Sequence, residues 1–210
     1  MVGHMGGSVL SVNVGHAVRV DWSQDQRATA IDKRPVDGPV RVSRERVGTD
    51  QHGLPGHGHE HAAVYAYARE DAEFWEAELG RALPPGIFGE NLTTAGLEVS
   101  GAISGERWRV GTTLLQVSVP RIPCRTFAGW WQVPDLVRRF TAAGRPGAYL
   151  RVLEPGQIRA GDTVELVDRP EHGVSVADLL AARAGDRSRL ASVREVSLPA
   201  SWQQWLSSVE

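Results

Sequence analysis

The sequence is poor in cysteine and lysine. Cys124 is the only cysteine among 210 residues and Lys33 the only lysine, and arginine carries the remaining positive charge. A single cysteine excludes an internal disulfide and predicts a reducing, cytoplasmic location. The G-K-[ST] ending of a phosphate-binding loop is missing. A pyridoxal phosphate Schiff base would need Lys33, which lies in a polar segment near proline, so both chemistries are disfavoured.

Strong charge and long apolar runs are also missing. The formal net charge is −2, so no basic field is available to hold a nucleic acid polymer. No apolar run is long enough to cross a bilayer, and the first residues do not have the form of a secretory signal. We therefore expect a cytoplasmic protein with a small-molecule substrate and with neither nucleic acid nor membrane as a partner.

The residue pattern predicts a mainly β fold. Stretches such as SVLSVNVG, AVRVDW and GPVRVSRERVG alternate apolar and polar residues and are interrupted by glycine, proline and aspartate. REDAEFWEAELGRAL predicts an amphipathic helix, and DLVRRFTAAGRPG a second short helix that ends at Gly144. Many short strands with few helices favour a closed or nearly closed β-barrel over residues 1–170. Helical spacing then predicts a small C-terminal helical unit over residues 171–210.

The single cysteine lies in the segment VPRIPCRTFAGWW. Arg121 and Arg125 flank Cys124, and Pro120 and Pro123 interrupt the strand before it, which predicts a loop at a strand end. Nearby arginines favour the thiolate, the form that binds a soft metal, carries a persulfide or attacks an electrophile. The alternative is a small buried hydrophobic residue, as many free cysteines are.

Several ordered motifs resemble one known family. FGENLTTAGL, GERWRVGTTLLQVSVPRIPC and GRPGAYLRVLEPGQIRAGD follow one another, and KRPVDGPVRV and AVYAY precede them. Together they resemble the YiiM-like branch of the MOSC family, named for the C-terminal domain of molybdenum cofactor sulfurase. The resemblance extends from about residue 8 to about residue 170. The segment after it is similar to the three-helix C-terminal domain of this branch.

The resemblance implies a fold and an activity. The fold would be a distorted β-barrel of the MOSC type, and Cys124 would be the thiolate ligand of molybdenum in the pterin-based molybdenum cofactor. YiiM-like proteins are associated with reduction of N-hydroxylated bases and other N-oxygenated compounds, with electrons from a separate redox protein. In sulfurase relatives the same cysteine has been proposed to carry sulfur, so a sulfur-carrier module with a Cys124 persulfide is the alternative.

The resemblance also implies a set of cofactor-binding residues. The GENLT motif would border the cofactor pocket, and the two arginines beside the cysteine would pair with the cofactor phosphate. These residues are Gly89, Glu90, Asn91, Thr93, Arg121 and Arg125. A β-turn with a left-handed asparagine is the alternative for GENLT, and solvated or structurally paired side chains are the alternative for the arginines.

One segment departs from the family pattern. HGHEHAAVYAY stands where the family commonly has HGGPDKAVYAY, which leaves open the substrate and whether the cofactor is retained through purification. In an extended segment His57, His59 and His61 would share one face, which gives a third hypothesis, a Zn, Fe or Ni enzyme on the same barrel. The alternatives are a solvated loop, or His57 as the proton donor to a leaving hydroxyl. Dimer formation is left open.

Overall fold

The computed structural model describes residues 6–22, 28–51 and 60–209. The strands are β1 (Gly6–Gly15), β2 (Val18–Arg19), β3 (Ala28–Thr29), β4 (Lys33–Val36), β5 (Val40–Val42), β6 (Val64–Ala68), β7 (Leu92–Ala95), β8 (Arg107–Val110), β9 (Thr113–Val117), β10 (Ala148–Glu154), β11 (Gly156–Ile158) and β12 (Thr163–Asp168). The helices are α1 (Arg69–Leu79), α2 (Arg125–Trp131), α3 (Leu136–Ala143), α4 (Val176–Arg183), α5 (Leu190–Arg194) and α6 (Ala200–Ser208), with 3₁₀ turns at Glu60–Ala62 and Arg187–Arg189. The predicted mainly β fold with short helices is confirmed.

Seven strands close into a barrel. Their order is β1, β12, β8, β9, β10, β6 and β7, and β7 pairs with β1 again. Closure depends on the length of β1, which pairs first with β12, then with β7 and finally with β4. The pairings in the ring are antiparallel except for the parallel pair of β6 and β7. The predicted closed barrel is confirmed.

Alternation along the strands divides the barrel residues between two environments. In β10 the side chains of Ala148, Leu150 and Val152 are buried in the barrel core, while Tyr149 and Arg151 lie on the outer wall. This is the two-residue period of a strand with one face in a core. The outer wall of β6 and β10 is therefore free to contact other elements, and the candidate site is built against it.

An aromatic cluster covers part of this outer wall. Tyr65 and Tyr67 of β6 pack with residues of α1, α2 and α3 and of the segment before β7, among them Trp75, Phe88, Phe127, Trp131 and Phe140. Tyr67 stacks on Phe88 with ring centroids 3.9 Å apart. Burial of several large rings fixes α2 against the barrel, because each ring removes a large apolar area from water.

A third cluster joins the C-terminal helices to the barrel. Leu179 of α4, Val193 of α5 and Trp202 of α6 pack together with Val119, which follows β9. Ser175 caps α4 and forms a reciprocal capping box with Asp178. The helices lie in the predicted C-terminal region, while the division into two domains near residue 170 stays a prediction.

The helices are all short. Across residues 6–22, 28–51 and 60–209, none of them combines the length and apolar character that crossing a bilayer requires.

Candidate functional site

Cys124 lies at the start of α2 on the outside of the barrel. Its backbone is extended, with φ −133° and ψ 176°, and its carbonyl accepts the N–H of Ala128 at 3.0 Å. The side chain makes no capping hydrogen bond, and the residue is exposed. The alternative of a buried hydrophobic cysteine is therefore wrong, and the thiol is accessible to a ligand.

Arg121 lies beneath this cysteine in an unusual environment. Its guanidinium carbon is 4.6 Å from the centroid of the Phe127 ring and 5.3 Å from that of the Tyr65 ring. Nη1 donates to the hydroxyl of Tyr149 over 3.4 Å, while the buried Nε has no hydrogen-bond partner. Within the described residues no carboxylate pairs with this half-buried guanidinium. Aromatic faces hold the cation by cation–π contact, and part of its hydrogen-bonding capacity stays unused.

Neighbouring groups keep the guanidinium of Arg121 protonated. Burial alone would lower the pKa of the guanidinium, but nearby hydroxyl, thiol and carboxyl groups outweigh burial and raise the pKa. These groups belong to Tyr149, Tyr65, Cys124 and Glu90. Arg121 is therefore a fixed positive charge within electrostatic reach of the Cys124 sulfur.

Glu90 of the GENLT motif points into its own loop. Its carboxylate accepts the N–H of Gly86 at 2.6 Å, the N–H of Phe88 at 3.0 Å and the hydroxyl of Thr93 at 2.8 Å. Burial raises the pKa of Glu90, and these hydrogen bonds partly oppose that effect. All of these contacts are internal, so Glu90 shapes the loop; direct contact with a cofactor stays a prediction.

Asn91 and Thr93 are also used inside the protein. Asn91 Oδ1 accepts the N–H of Tyr65 at 3.1 Å, and its Nδ2 donates to the Asn13 carbonyl and to Asp50 Oδ2. Thr93 Oγ1 accepts from Asn13 Nδ2 at 3.1 Å. These donors already have partners, so the cofactor-binding role of Asn91 and Thr93 stays a prediction. The alternative of a left-handed asparagine is wrong, since Asn91 does not have a positive φ.

Gly89 brings the GENLT loop next to Arg121. Its φ is +76°, a conformation that favours glycine. A Cβ at this position would lie 3.2 Å from Ile31 Cγ1 and 3.6 Å from Arg121 Nη1. The structure thus joins the GENLT and PRIPC motifs, which are about 30 residues apart in sequence.

The remaining predicted site residues are less clustered. Arg125 is exposed at the first position of α2. His61 is half-buried in the 3₁₀ turn before β6, whereas His57 and His59 lie outside the described residues. No group of three or more His, Cys, Asp or Glu able to hold a metal ion occurs in the described part of the chain. The three-histidine centre and the proton-donor role of His57 stay predictions.

A buried ion pair that the sequence pattern does not indicate lies behind the GENLT loop. The ammonium of Lys33 contacts both carboxylate oxygens of Asp50, and Asp50 also accepts the N–H of Gly15 at 2.7 Å and the amide of Asn91 at 2.9 Å. Burial lowers the pKa of Lys33, and Asp50 opposes that effect. The polar residues around Lys33 do not indicate that its side chain is buried, because burial depends on the register in which β4 pairs with β1.

Comparison with known proteins fits this architecture. The family model of the MOSC domain matches residues 54–165. The chain is 36% identical to the uncharacterized protein YflK of Bacillus subtilis, over 93% of this chain and 91% of YflK. It is 32% identical to YiiM of Escherichia coli, over 68% of this chain and 66% of YiiM. A protein named Reductase from Gibberella moniliformis is 34% identical over 91% of this chain, which spans only 33% of that relative.

Solved structures agree. The crystal structure of YiiM from Geobacillus stearothermophilus superposes with a TM-score of 0.80 and 32% identity, over 96% of this chain and 98% of that one. YiiM from Escherichia coli gives a TM-score of 0.74 and 26% identity, over 97% and 92% of the two chains. This chain belongs to the MOSC domain family, as a YiiM-like member, and the family is associated in general with binding of the molybdenum cofactor.

The residues present fit such a cofactor at two points. The exposed Cys124 thiol is a soft ligand of the kind that binds molybdenum, and it has no competing hydrogen bond as a helix cap. Arg121 presents a cation with an unpartnered buried N–H, which suits a phosphate oxygen. The fit rests on the donor chemistry of these two residues.

Proposed function

We propose that this protein is a molybdenum-cofactor-binding oxidoreductase that reduces N-hydroxylated or N-oxygenated compounds, with Cys124 as the thiolate ligand of molybdenum. The observation that carries the proposal is the exposed Cys124 thiol near the cationic Arg121, which forms no ion pair within the described residues. Membership of the MOSC family and the fungal relative named Reductase support an enzyme of this general kind.

Each side chain has a distinct part in this proposal. Cys124 would hold the metal, and Arg121 would hold the cofactor phosphate with the face-on support of Phe127 and Tyr65. Gly89 has no Cβ, which lets the backbone of the GENLT loop lie close to Arg121 Nη1. Arg125, exposed at the start of α2, would add a second cationic contact.

The polar side chains of GENLT would support the site indirectly, without contacting the ligand. Glu90, Asn91 and Thr93 keep the loop in one conformation through their internal hydrogen bonds. This places Gly89 against Arg121 before any ligand arrives. Preorganisation of this kind lowers the cost of ordering a site on binding.

The proposed reaction has a simple balance. Conversion of an N-hydroxylated compound to the parent amine and water consumes two electrons and two protons. When bound, the cofactor would supply the redox chemistry that removes oxygen from nitrogen. Electrons would come from a separate redox protein, and His57 would deliver a proton to the leaving hydroxyl.

Elemental analysis of the purified protein tests this proposal. The protein and its Cys124→Ser variant are produced in a host that makes the molybdenum cofactor, and metal content is measured by plasma mass spectrometry. Near-stoichiometric molybdenum that is lost in Cys124→Ser is the expected result. Molybdenum retained in the variant contradicts the ligand assignment.

Activity is measured with chemically reduced methyl viologen as the electron source, so that the natural donor is not needed. N-hydroxylated purines and amidines are offered, and the amine product is quantified. We expect product with the parent and none with Cys124→Ser, at equal folded fraction by circular dichroism. A loaded parent enzyme that produces no amine from either class contradicts the proposed reaction.

A sulfur carrier is the second candidate, because the exposed thiol of Cys124 can also be reached by a partner protein. It requires the same cysteine but no tightly bound cofactor. Mass spectrometry of the intact protein after incubation with a cysteine desulfurase and cysteine would detect a persulfide on Cys124. A persulfide in protein that never acquires molybdenum favours this second candidate.

The third hypothesis, a metal enzyme of the His57, His59 and His61 patch, predicts a different result. Zn, Fe or Ni would be bound and would survive Cys124→Ser, but not His59→Ala. The same elemental analysis therefore separates this hypothesis from the molybdenum enzyme, and the persulfide measurement identifies the sulfur carrier.

A further inference from the structure

A cavity lies where the C-terminal helices meet the barrel. It has a volume of about 450 Å³, within the range of small-molecule sites. Its lining comprises residues of β9 and β10, the neighbouring segments near residues 105 and 170, and residues 195–199. Neither Cys124 nor Arg121 lines it, so it is separate from the site proposed for the cofactor.

The barrel wall of this cavity presents a fixed guanidinium. Arg151 Nε donates to Gln116 Oε1 at 2.7 Å, and Gln116 Nε2 donates in turn to the Gly105 carbonyl at 3.1 Å. These bonds orient the half-buried guanidinium, whose other two nitrogens have no partner among the described residues. A planar fork of free N–H donors suits a carboxylate or phosphate.

Other polar groups of the lining are already engaged. Arg107 pairs with Asp168 at 3.8 Å, so these two charges offset each other. His172 Nδ1 accepts the N–H of Val174 at 3.0 Å, and its Nε2 therefore carries the proton and donates to the Ser104 carbonyl at 3.0 Å. These contacts engage Arg107 with Asp168, and His172 with Ser104 and Val174.

Another part of the lining carries a carboxylate. Glu195 follows α5, is exposed, and has no ion-pair partner within the described part of the chain. His61 lies on the lining as well and has no hydrogen-bond partner among the described residues. Within residues 6–22, 28–51 and 60–209, three lining residues therefore carry an ionisable side chain with an unpaired group: Arg151, Glu195 and His61.

We infer that this cavity is a binding site for a small zwitterion, a molecule that carries a carboxylate or phosphate together with a protonated amine. Its anionic end would pair with Arg151 and its cationic end with Glu195. A simple anion would satisfy Arg151 but meet the repulsion of Glu195, and a simple cation would meet the reverse. A ligand with both charges satisfies both side chains at once.

Binding to the purified protein tests the inference. The twenty common L-amino acids are screened by thermal shift, and any that raise Tm are titrated by calorimetry. We expect at least one to bind with a dissociation constant in the millimolar range or tighter. The decarboxylated amine and the deaminated acid of that amino acid are expected to bind at least about tenfold more weakly.

Substitutions of the two charged lining residues test whether the ligand binds in this cavity. Arg151→Gln and Glu195→Gln should each weaken binding about tenfold or more. Arg109→Gln and Glu171→Gln remove like charges that do not line the cavity and should leave binding unchanged. Glu195 is exposed, so Glu195→Gln keeps the test valid even if Arg151→Gln fails to fold.

Two results would overturn the inference. One is the absence of binding by every amino acid, and the other is equal binding by the deaminated acid or by Glu195→Gln. Cys124→Ser should bind the amino acid as the parent does, so failure of the proposed reductase function and failure of this site are distinguishable.

Discussion

The guanidinium carbon of Arg121 lies 4.6 Å from the ring centroid of Phe127. The two residues stand three positions before and three positions after Cys124, and their contact closes the PRIPC segment onto the first turn of α2. Phe127 is fully buried in the aromatic cluster outside the barrel. The reactive segment is therefore held from both sides, although Cys124 itself is exposed.

Replacement of Arg121 should separate ligand binding from stability. Arg121→Met removes a guanidinium whose buried Nε has no partner, and methionine fills a similar volume between Phe127 and Tyr65. We expect the free energy of unfolding to stay within about 1 kcal/mol of the parent, because the uncompensated polar burial is lost together with the cation–π contacts. Molybdenum retained after gel filtration should fall at least about tenfold, since a charge-assisted contact to phosphate is lost.

Urea unfolding and metal analysis check both parts of this prediction. Arg138→Met is the matched control, because Arg138 is an exposed arginine of α3 that takes no part in the site. A loss of several kcal/mol in Arg121→Met would show that Arg121 is a structural residue.

Gly89→Ala should lower the free energy of unfolding by more than the strain of a left-handed backbone alone. Gly89 and Gly80 both have positive φ, +76° and +63°, but only Gly89 has neighbours within 4 Å of an added Cβ. Gly80→Ala therefore measures the strain of the left-handed conformation, about 1 kcal/mol. Gly89→Ala should exceed that value, because its Cβ would crowd Ile31 at 3.2 Å.

Thermal and urea unfolding of Gly89→Ala and Gly80→Ala measure the additional loss of stability in Gly89→Ala. Molybdenum retention should fall in Gly89→Ala and not in Gly80→Ala, because the Cβ would lie 3.6 Å from Arg121 Nη1. Equal losses of stability and unchanged metal content in both variants would contradict a role for the close approach of this loop to Arg121.

The buried pair of Lys33 and Asp50 predicts a non-additive mutant cycle. Lys33→Met leaves the Asp50 carboxylate buried without its cation and should cost about 3–5 kcal/mol. Adding Asp50→Asn removes that charge while one amide oxygen still accepts from Gly15 or Asn91. The double variant should therefore be more stable than Lys33→Met, as measured by urea unfolding. A double variant that loses the sum of the two single losses would mean that the pair is not coupled.

The sequence was sufficient for the barrel and for the position of Cys124. Strands with one buried face carry a two-residue period that is visible without the fold, and the prolines of PRIPC mark the end of β9. The short helix α2 is not predictable in the same way, because its segment contains Gly129 and two adjacent tryptophans. It forms where packing favours it: an added Cβ on Gly129 would lie 2.8 Å from the Trp22 ring.

The network behind the GENLT loop could not be predicted from the sequence. Lys33, Asp50 and Asn91 lie on separate segments, and only the pairing of β1 with β4 and β7 brings them together. GENLT can be recognised as a motif, but its residue types do not show whether its polar side chains bind a ligand or form hydrogen bonds within the protein. The structure turns Glu90 and Asn91 inward, which changes the expected effect of mutating them.

Glu90 offers the last test, through the pH dependence of stability. Burial raises the pKa of Glu90 above its ordinary value of 4.5. Between the ordinary pKa and the raised one, the folded protein keeps a proton that the unfolded chain has released. The contribution of Glu90 to stability is therefore greatest at or below pH 4.5 and decreases as the pH rises through this window.

Glu90→Gln removes this titration. It should be destabilised by about 1–3 kcal/mol near pH 4.5, because glutamine offers the N–H groups of Gly86 and Phe88 one acceptor oxygen instead of two. The difference from the parent should narrow as the pH is raised toward 7. Urea unfolding across this range measures the difference, with the exposed Glu98→Gln as the control that should show no such narrowing. A difference that widens with pH would mean that the three hydrogen bonds to the carboxylate outweigh its burial, and that the folded protein favours the ionised form of Glu90.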